Sequence, residues 1–134
     1  TEGCPLCRAS YLAPDYDPIR EAQRFDVLDG DAEITPGISV QVTGGHTRAH
    51  QILKIAAGDE TVAFWGDLIP TSLHLRPHYV MAYDLYPRQS WEAKRALVPQ
   101  MVEEGWINVF YHDANHPLGK VVPEGRSFRV EALG

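Results

Sequence analysis

Three times in this chain a strand-length apolar run ends in a side chain that binds metals or protons. Ile38-Ser-Val-Gln-Val-Thr43 leads through Gly44-Gly45 to His46, Thr61-Val-Ala-Phe-Trp-Gly66 leads to Asp67, and Trp106-Ile-Asn-Val-Phe-Tyr111 leads to His112. Alternating or continuous apolar residues over such lengths read as β-strands. Strands lying side by side in one sheet would bring these three residues to a common rim. Imidazole plus carboxylate is the ligand set preferred by zinc, iron or manganese. Gly44, Gly45 and Gly66 let the chain turn sharply beside them.

A competing pattern is set aside by its context. The six histidines form pairs four residues apart, His46 with His50, His74 with His78, and His112 with His116. On a helix that spacing would align both rings, as in zinc proteases. Gly44-Gly45 precede the first pair, however, Pro77 splits the second and Pro117 follows the third. The third pair also carries Asp113 where a protease would have Glu, so none reads as a helical metal site.

The rest of the chain organises around the rim. Residues 1–16 have no period and read as an extended lead-in, leaving residues 17–134 as the folded unit. Asp17-Pro18 is expected to start a short helix running to Arg24, with Asp17 as its cap and Pro18 at the first helical position. A strand at Phe25 to Leu28 is expected next. Ala32 to Ile34, Ile38 to Val42, Gln51 to Ala56 and Thr61 to Trp65 read as strands, with a hairpin at Gly58-Asp59-Glu60. Ser90 to Glu104 has apolar residues at helical spacing, a kink expected at Pro99, and Gly105 placed as a C-terminal cap. A strand at Trp106 to Tyr111 and a final pair around Lys120 to Val122 and Phe128 to Leu133 close the chain.

With 134 residues the chain has the length of one domain with one core. Its net charge of −6, with no basic cluster, gives nucleic acid and anionic membranes no electrostatic footing, so neither is expected as a partner. The longest apolar runs are far short of a membrane span. No leader pattern opens the sequence, and the expected location is cytoplasmic. Cys4 and Cys7, as Cys-Pro-Leu-Cys, lack the second pair or redox context that would define a site. They leave a local role, half of a metal site and a redox role open.

Thr43-Gly-Gly-His-Thr-Arg-Ala-His-Gln51, Phe64-Trp-Gly-Asp-Leu68 and His112-Asp113 occur in the order and separation of the later metal-binding motifs of metallo-β-lactamase-fold hydrolases, which this chain resembles. The similarity extends through Leu28-Asp-Gly-Asp-Ala-Glu-Ile34, Asp67-Leu-Ile-Pro-Thr71 with His74, Tyr83-Asp84, Pro87 and Ser90. The resemblance implies an α/β (α+β) fold. This would be the C-terminal half of an αββα sandwich, with a mixed, mostly antiparallel sheet, one long helix and one short one. It implies that His46 serves the first metal, that Asp67 bridges both metals and works with the bound water, and that His112 ends the second metal's set. Two zinc ions are implied for an intact site, with iron or manganese as alternatives.

The family's leading histidine-x-histidine-x-aspartate-histidine cluster is not in this sequence. The expected object is therefore part of a metal-dependent hydrolase acting on an ester, thioester, lactone or similar bond of a small molecule. Metal occupancy in this chain alone is expected to be partial or absent, and the expected partner is a missing N-terminal half or a second copy of the chain. The alternative is a non-catalytic interaction or structural module that retains the fold. His50 reads as a structural histidine with an orienting role as its alternative, His74 as lining a substrate cleft, supporting a ligand or lying at the surface, and His78 and His116 as loop residues. Tyr79, Tyr83, Tyr86 and Trp91 form an aromatic patch expected to close the core beside the helix, with facing a substrate as the alternative.

Overall fold

A computed structural model describes residues 11–133. Cys4, Cys7 and most of the lead-in lie outside the described residues. Seven strands form one sheet in sequence order: β1 Ala32–Thr35, β2 Ile38–Val42, β3 Gln51–Ala57, β4 Glu60–Phe64, β5 Ile107–Val109, β6 Leu118–Glu124 and β7 Ser127–Glu131. All neighbours are antiparallel except β4 and β5, which are parallel. A parallel pair needs a long crossover, and here it contains the helix α2, Pro87–Glu103. The sheet is mixed and mostly antiparallel, as expected, with α2 as the long helix and α1, Ala13–Glu21, as the short one.

Two expectations near the start of the described chain need correction. The short helix begins at Ala13, with Pro14 in its first turn, so the boundary expected between residues 16 and 17 falls inside it. Either proline suits a first turn, where no backbone N–H is required, and the helix continues through Pro18. Asp17 pairs with Arg20 at 2.8 Å rather than capping the helix. Phe25 to Leu28 is irregular, with Val27 87% exposed. An apolar alternation becomes a strand only where a neighbour supplies a ladder, and none pairs with these residues. Helix α2 runs through Pro99 as one element.

Register assigns each residue to a face. Val40, Leu53, Phe64, Val109 and Leu118 lie opposite one another across five strands, as do Ile38, Ile55, Val62, Ile107 and Lys120. The other face carries Ile52, Ala63, Asn108 and Val121, which with Trp65, Phe110 and the α2 residues Leu97, Val98 and Met101 form the buried core. Polar atoms within it are paired: Trp65 Nε1 donates to Asn108 Oδ1 at 2.8 Å, and Asn108 Nδ2 donates to the Trp106 carbonyl at 2.8 Å.

Lys94 of α2 is also fully buried. Its Nζ donates to the carbonyls of His74, Arg76 and Tyr79, which fastens the segment between β4 and α2 to the helix. Burial lowers its pKa from 10.5 to about 8. Tyr79 and Tyr83 do not close the core as expected; they are 48% and 55% exposed. The three carbonyls held by Lys94 fix the backbone while leaving those rings outside.

Candidate metal centre

β2 and β4 both run antiparallel to β3, and β5 runs parallel to β4, so the C-terminal ends of all three point to one edge. His46, Asp67 and His112 follow those ends and meet there. His46 Nε2 lies 3.4 Å from Asp67 Oδ2, and His112 Nε2 lies 3.4 Å from Asp67 Oδ1. The two imidazoles thus face different oxygens of one carboxylate. They do not converge on a single point, and among the described residues no group of three or more His, Cys, Asp or Glu forms a ready-made metal cluster. The carboxylate sits between the imidazoles, one oxygen toward each.

Two close approaches shape the rim. At Gly45, with φ +93°, an added Cβ would collide with Ser90 Oγ, so only glycine lets the His46 loop lie against the start of α2. The contact is secured by the Tyr86 amide donating to the Gly45 carbonyl at 2.9 Å and the Leu85 amide to that of His46 at 3.1 Å. At Gly66, with φ +52°, a Cβ would approach His50 Nε2 to 2.8 Å.

His46 is backed by a residue whose role sequence reasoning missed. Its Nδ1 lies 3.1 Å from Asp84 Oδ1, and Ser90 Oγ donates to Asp84 Oδ2 at 2.6 Å. A carboxylate only accepts, so the His46 Nδ1 carries a hydrogen directed at Asp84, and Nε2 is the nitrogen turned toward Asp67. A carboxylate behind an imidazole is the usual way of fixing the tautomer and aim of a metal-binding histidine. The Asp84 side chain is 1% exposed, which keeps water from competing for that bond. Tyr83-Asp84 lay within the stretch of resemblance, but nothing in sequence pairs residue 84 with residue 46.

His50 has a different task. The Asp67 amide donates to His50 Nε2 at 3.1 Å, so the hydrogen sits on Nδ1 and is donated to Thr43 Oγ1 at 2.8 Å. Burial, and then the nearby His46, lowers the His50 pKa, in keeping with a neutral ring. His50 therefore splices the His46 loop to the Asp67 turn and has no free nitrogen for a metal in this arrangement. His74 bonds Thr71 Oγ1 at 2.8 Å within its own turn, and its pKa is lowered by burial.

On the other side His112 is 54% exposed, its ring 3.8 Å from that of Tyr111. The Tyr111 hydroxyl donates to Asp67 Oδ1 at 2.7 Å, another contact that sequence reasoning missed. Burial and then that bond push the Tyr111 pKa up, which keeps the hydroxyl a donor. Asp113 accepts from the amide and hydroxyl of Ser72 and from the amides of Asn115 and His116. Burial acts to raise its pKa, but these bonds together hold it well below the usual carboxylate range. An open cleft of about 380 Å³ lies beside His112, lined by Thr71, Leu73, Asp113 and His116 among others. His78 and His116 are exposed loop residues.

Solved structures share this architecture. A probable metal-dependent hydrolase from Staphylococcus aureus superposes with a TM-score of 0.74 at 32% identity, over 80% of this chain and 39% of its own. An N-acyl homoserine lactone hydrolase, solved with N-hexanoyl-L-homoserine bound at its catalytic metal centre, is 26% identical over 66% of this chain and 36% of its own, with a TM-score of 0.58. The hydrolase AbOPH of the β-lactamase superfamily shares the fold, with a TM-score of 0.79 at 22% identity over 91% of this chain and 43% of its own. No family model and no curated protein matches the sequence.

A mixed sheet with histidine and aspartate at three co-aligned strand ends defines a metallo-β-lactamase-like fold. The chain shares this fold with metal-dependent hydrolases and spans about two fifths of the length of the solved structures it matches. No helix among the described residues is long and apolar enough to cross a membrane.

Proposed function

We propose that this chain is the C-terminal part of a metal-dependent hydrolase acting on a small-molecule lactone, ester or thioester. The observation that carries the reading is the meeting of His46, Asp67 and His112 at one rim with His46 aimed by a buried carboxylate. The donors fit part of a two-position site. His46 and one Asp67 oxygen would serve one metal, and His112 and the other oxygen the second, with zinc preferred by the ligand types and iron or manganese as alternatives. When bound, a divalent metal supplies Lewis acidity to the attacking water and to the scissile carbonyl.

The chain's own residues do the positioning. Asp84 and Ser90 aim His46, His50 holds the Asp67 backbone at a fixed distance from the His46 loop, and Asp113 shapes the loop that follows His112. Each divalent position then has too few donors from this chain for a complete set, since catalytic zinc normally takes three protein ligands. The missing donors are assigned to an N-terminal half or to a second copy of the chain. The same partner would cover the apolar sheet face opposite α2. A lactone is favoured within the substrate class because a relative was solved with a ring-opened lactone at its metal centre.

The test is to express the chain together with the upstream reading frame of its source DNA, then measure bound metal and hydrolysis of a panel of lactones and aryl esters. Metal retained through gel filtration, and activity that Asp67→Asn lowers by at least about a hundredfold, support the reading. A longer protein that folds but holds no metal sinks it in favour of an interaction module.

A further inference from the structure

Asp67 is the residue the two imidazoles share, yet contacts of 3.4 Å are too long to hold a carboxylate in one rotamer. The short bond comes from Tyr111, whose hydroxyl donates to Oδ1 at 2.7 Å. The Tyr111 ring is itself held, 5.3 Å from Phe64 and 3.8 Å from His112 between centroids. A carboxylate oxygen has two lone pairs. Tyr111 takes one on Oδ1, which leaves the second available on the His112 side and the whole of Oδ2 on the His46 side.

We propose that Tyr111 is a positioning residue of the candidate centre, whose hydroxyl locks the Asp67 carboxylate so that each oxygen stays directed toward one histidine and open to a divalent metal. The inference rests on the metal-dependent reading above. Phenylalanine at this position keeps the ring packing against Phe64 and His112 and removes only the bond to Asp67.

Two measurements on the full chain and on Tyr111→Phe test it. In the metal-free proteins, three-bond couplings to the Asp67 β-protons report the side-chain rotamer: one rotamer is expected in the native chain and averaging in Y111F. In a cobalt(II) titration of the native and Y111F sequences, each expressed together with the upstream reading frame and followed by absorbance and calorimetry, Y111F is expected to bind about tenfold more weakly and to change the visible bands, the scale of effect seen when a group orienting a metal ligand is removed. Unchanged couplings and unchanged cobalt affinity in Y111F overturn the role of Tyr111. Rotamer averaging in Y111F with no cobalt taken up by either protein overturns the metal-binding reading beneath it, a result distinct from the first.

Discussion

The face of the sheet turned away from α2 is the more apolar in sequence and yet the less buried. Under α2, Ile52, Ala63, Trp65 and Phe110 are fully buried. On the opposite face Ile38, Leu53, Ile55, Val62, Phe64, Ile107 and Val109 are only half-buried, and Leu118 is 42% exposed. Antiparallel sheets with one face in water usually place polar residues there; a sheet apolar on both sides is built to be covered on both. The chain spans 39% of the staphylococcal structure it matches, and under the proposed reading the open face is the surface that a missing half or a second copy would cover. The difference teaches that this chain's packing is concentrated on one side of the sheet, while the other side presents an apolar surface.

Adjacent residues make the comparison sharpest. Trp65 and Phe64 point to opposite faces, Trp65 into the core and Phe64 into the open side. Trp65→Ala is expected to cost about 3–5 kcal/mol, by lost transfer energy and a cavity, and also strands the Asn108 carbonyl oxygen that the indole N–H satisfies. Phe64→Ala in this chain is expected to cost less than about half of that. Urea unfolding midpoints of the two variants measure the gap. Equal costs would show that the open face is already covered, and a gap that closes when upstream residues are supplied would locate the missing cover.

Lys94 gives the buried side a pH signature. Its folded pKa, about 8, lies below the ordinary 10.5, so the folded chain releases that proton first. Below pH 8 both states are protonated and the cost of burying the charge is fully present. Between about pH 8 and 10.5 the unfolded state binds more protons, and this group's contribution to stability rises by at most about 3 kcal/mol. Stability measured from pH 7.5 to 10.5 should therefore show a rising component that Lys94→Met removes. A flat difference between the two proteins across that window breaks the assignment.

Much of the rim was legible because it depends on local pattern. The bounds of β2 were read from its alternation, β3 and β4 came within a residue or two, and the polar residue after each strand followed from the turn glycines. Asp84, Ser90 and Tyr111 were not legible as partners, because His46 and Asp84 are 38 residues apart and meet only through an irregular segment held by Lys94. The position of α1 was misread because two prolines four residues apart both fit a helix start. Phe25 to Leu28 shows the limit of alternation: the pattern specifies a strand only if a neighbour comes to pair.

The smallest effect on folding is expected on the open face itself. Leu118 lies in register with Val109 and next to solvent, so Leu118→Lys removes little buried area and should change folding stability by no more than about 0.5 kcal/mol. It does add a charge at the β6 end of the apolar surface, on the same face as Lys120. If that surface is where a second copy or a missing half docks, the charge must be desolvated on association, a cost of several kcal/mol, and sedimentation velocity should show Leu118→Lys shifted toward monomer. Unchanged self-association in Leu118→Lys would move the contact away from the sheet face and onto its edge strands, β1 or β7, where unpaired backbone groups offer the remaining route to a partner.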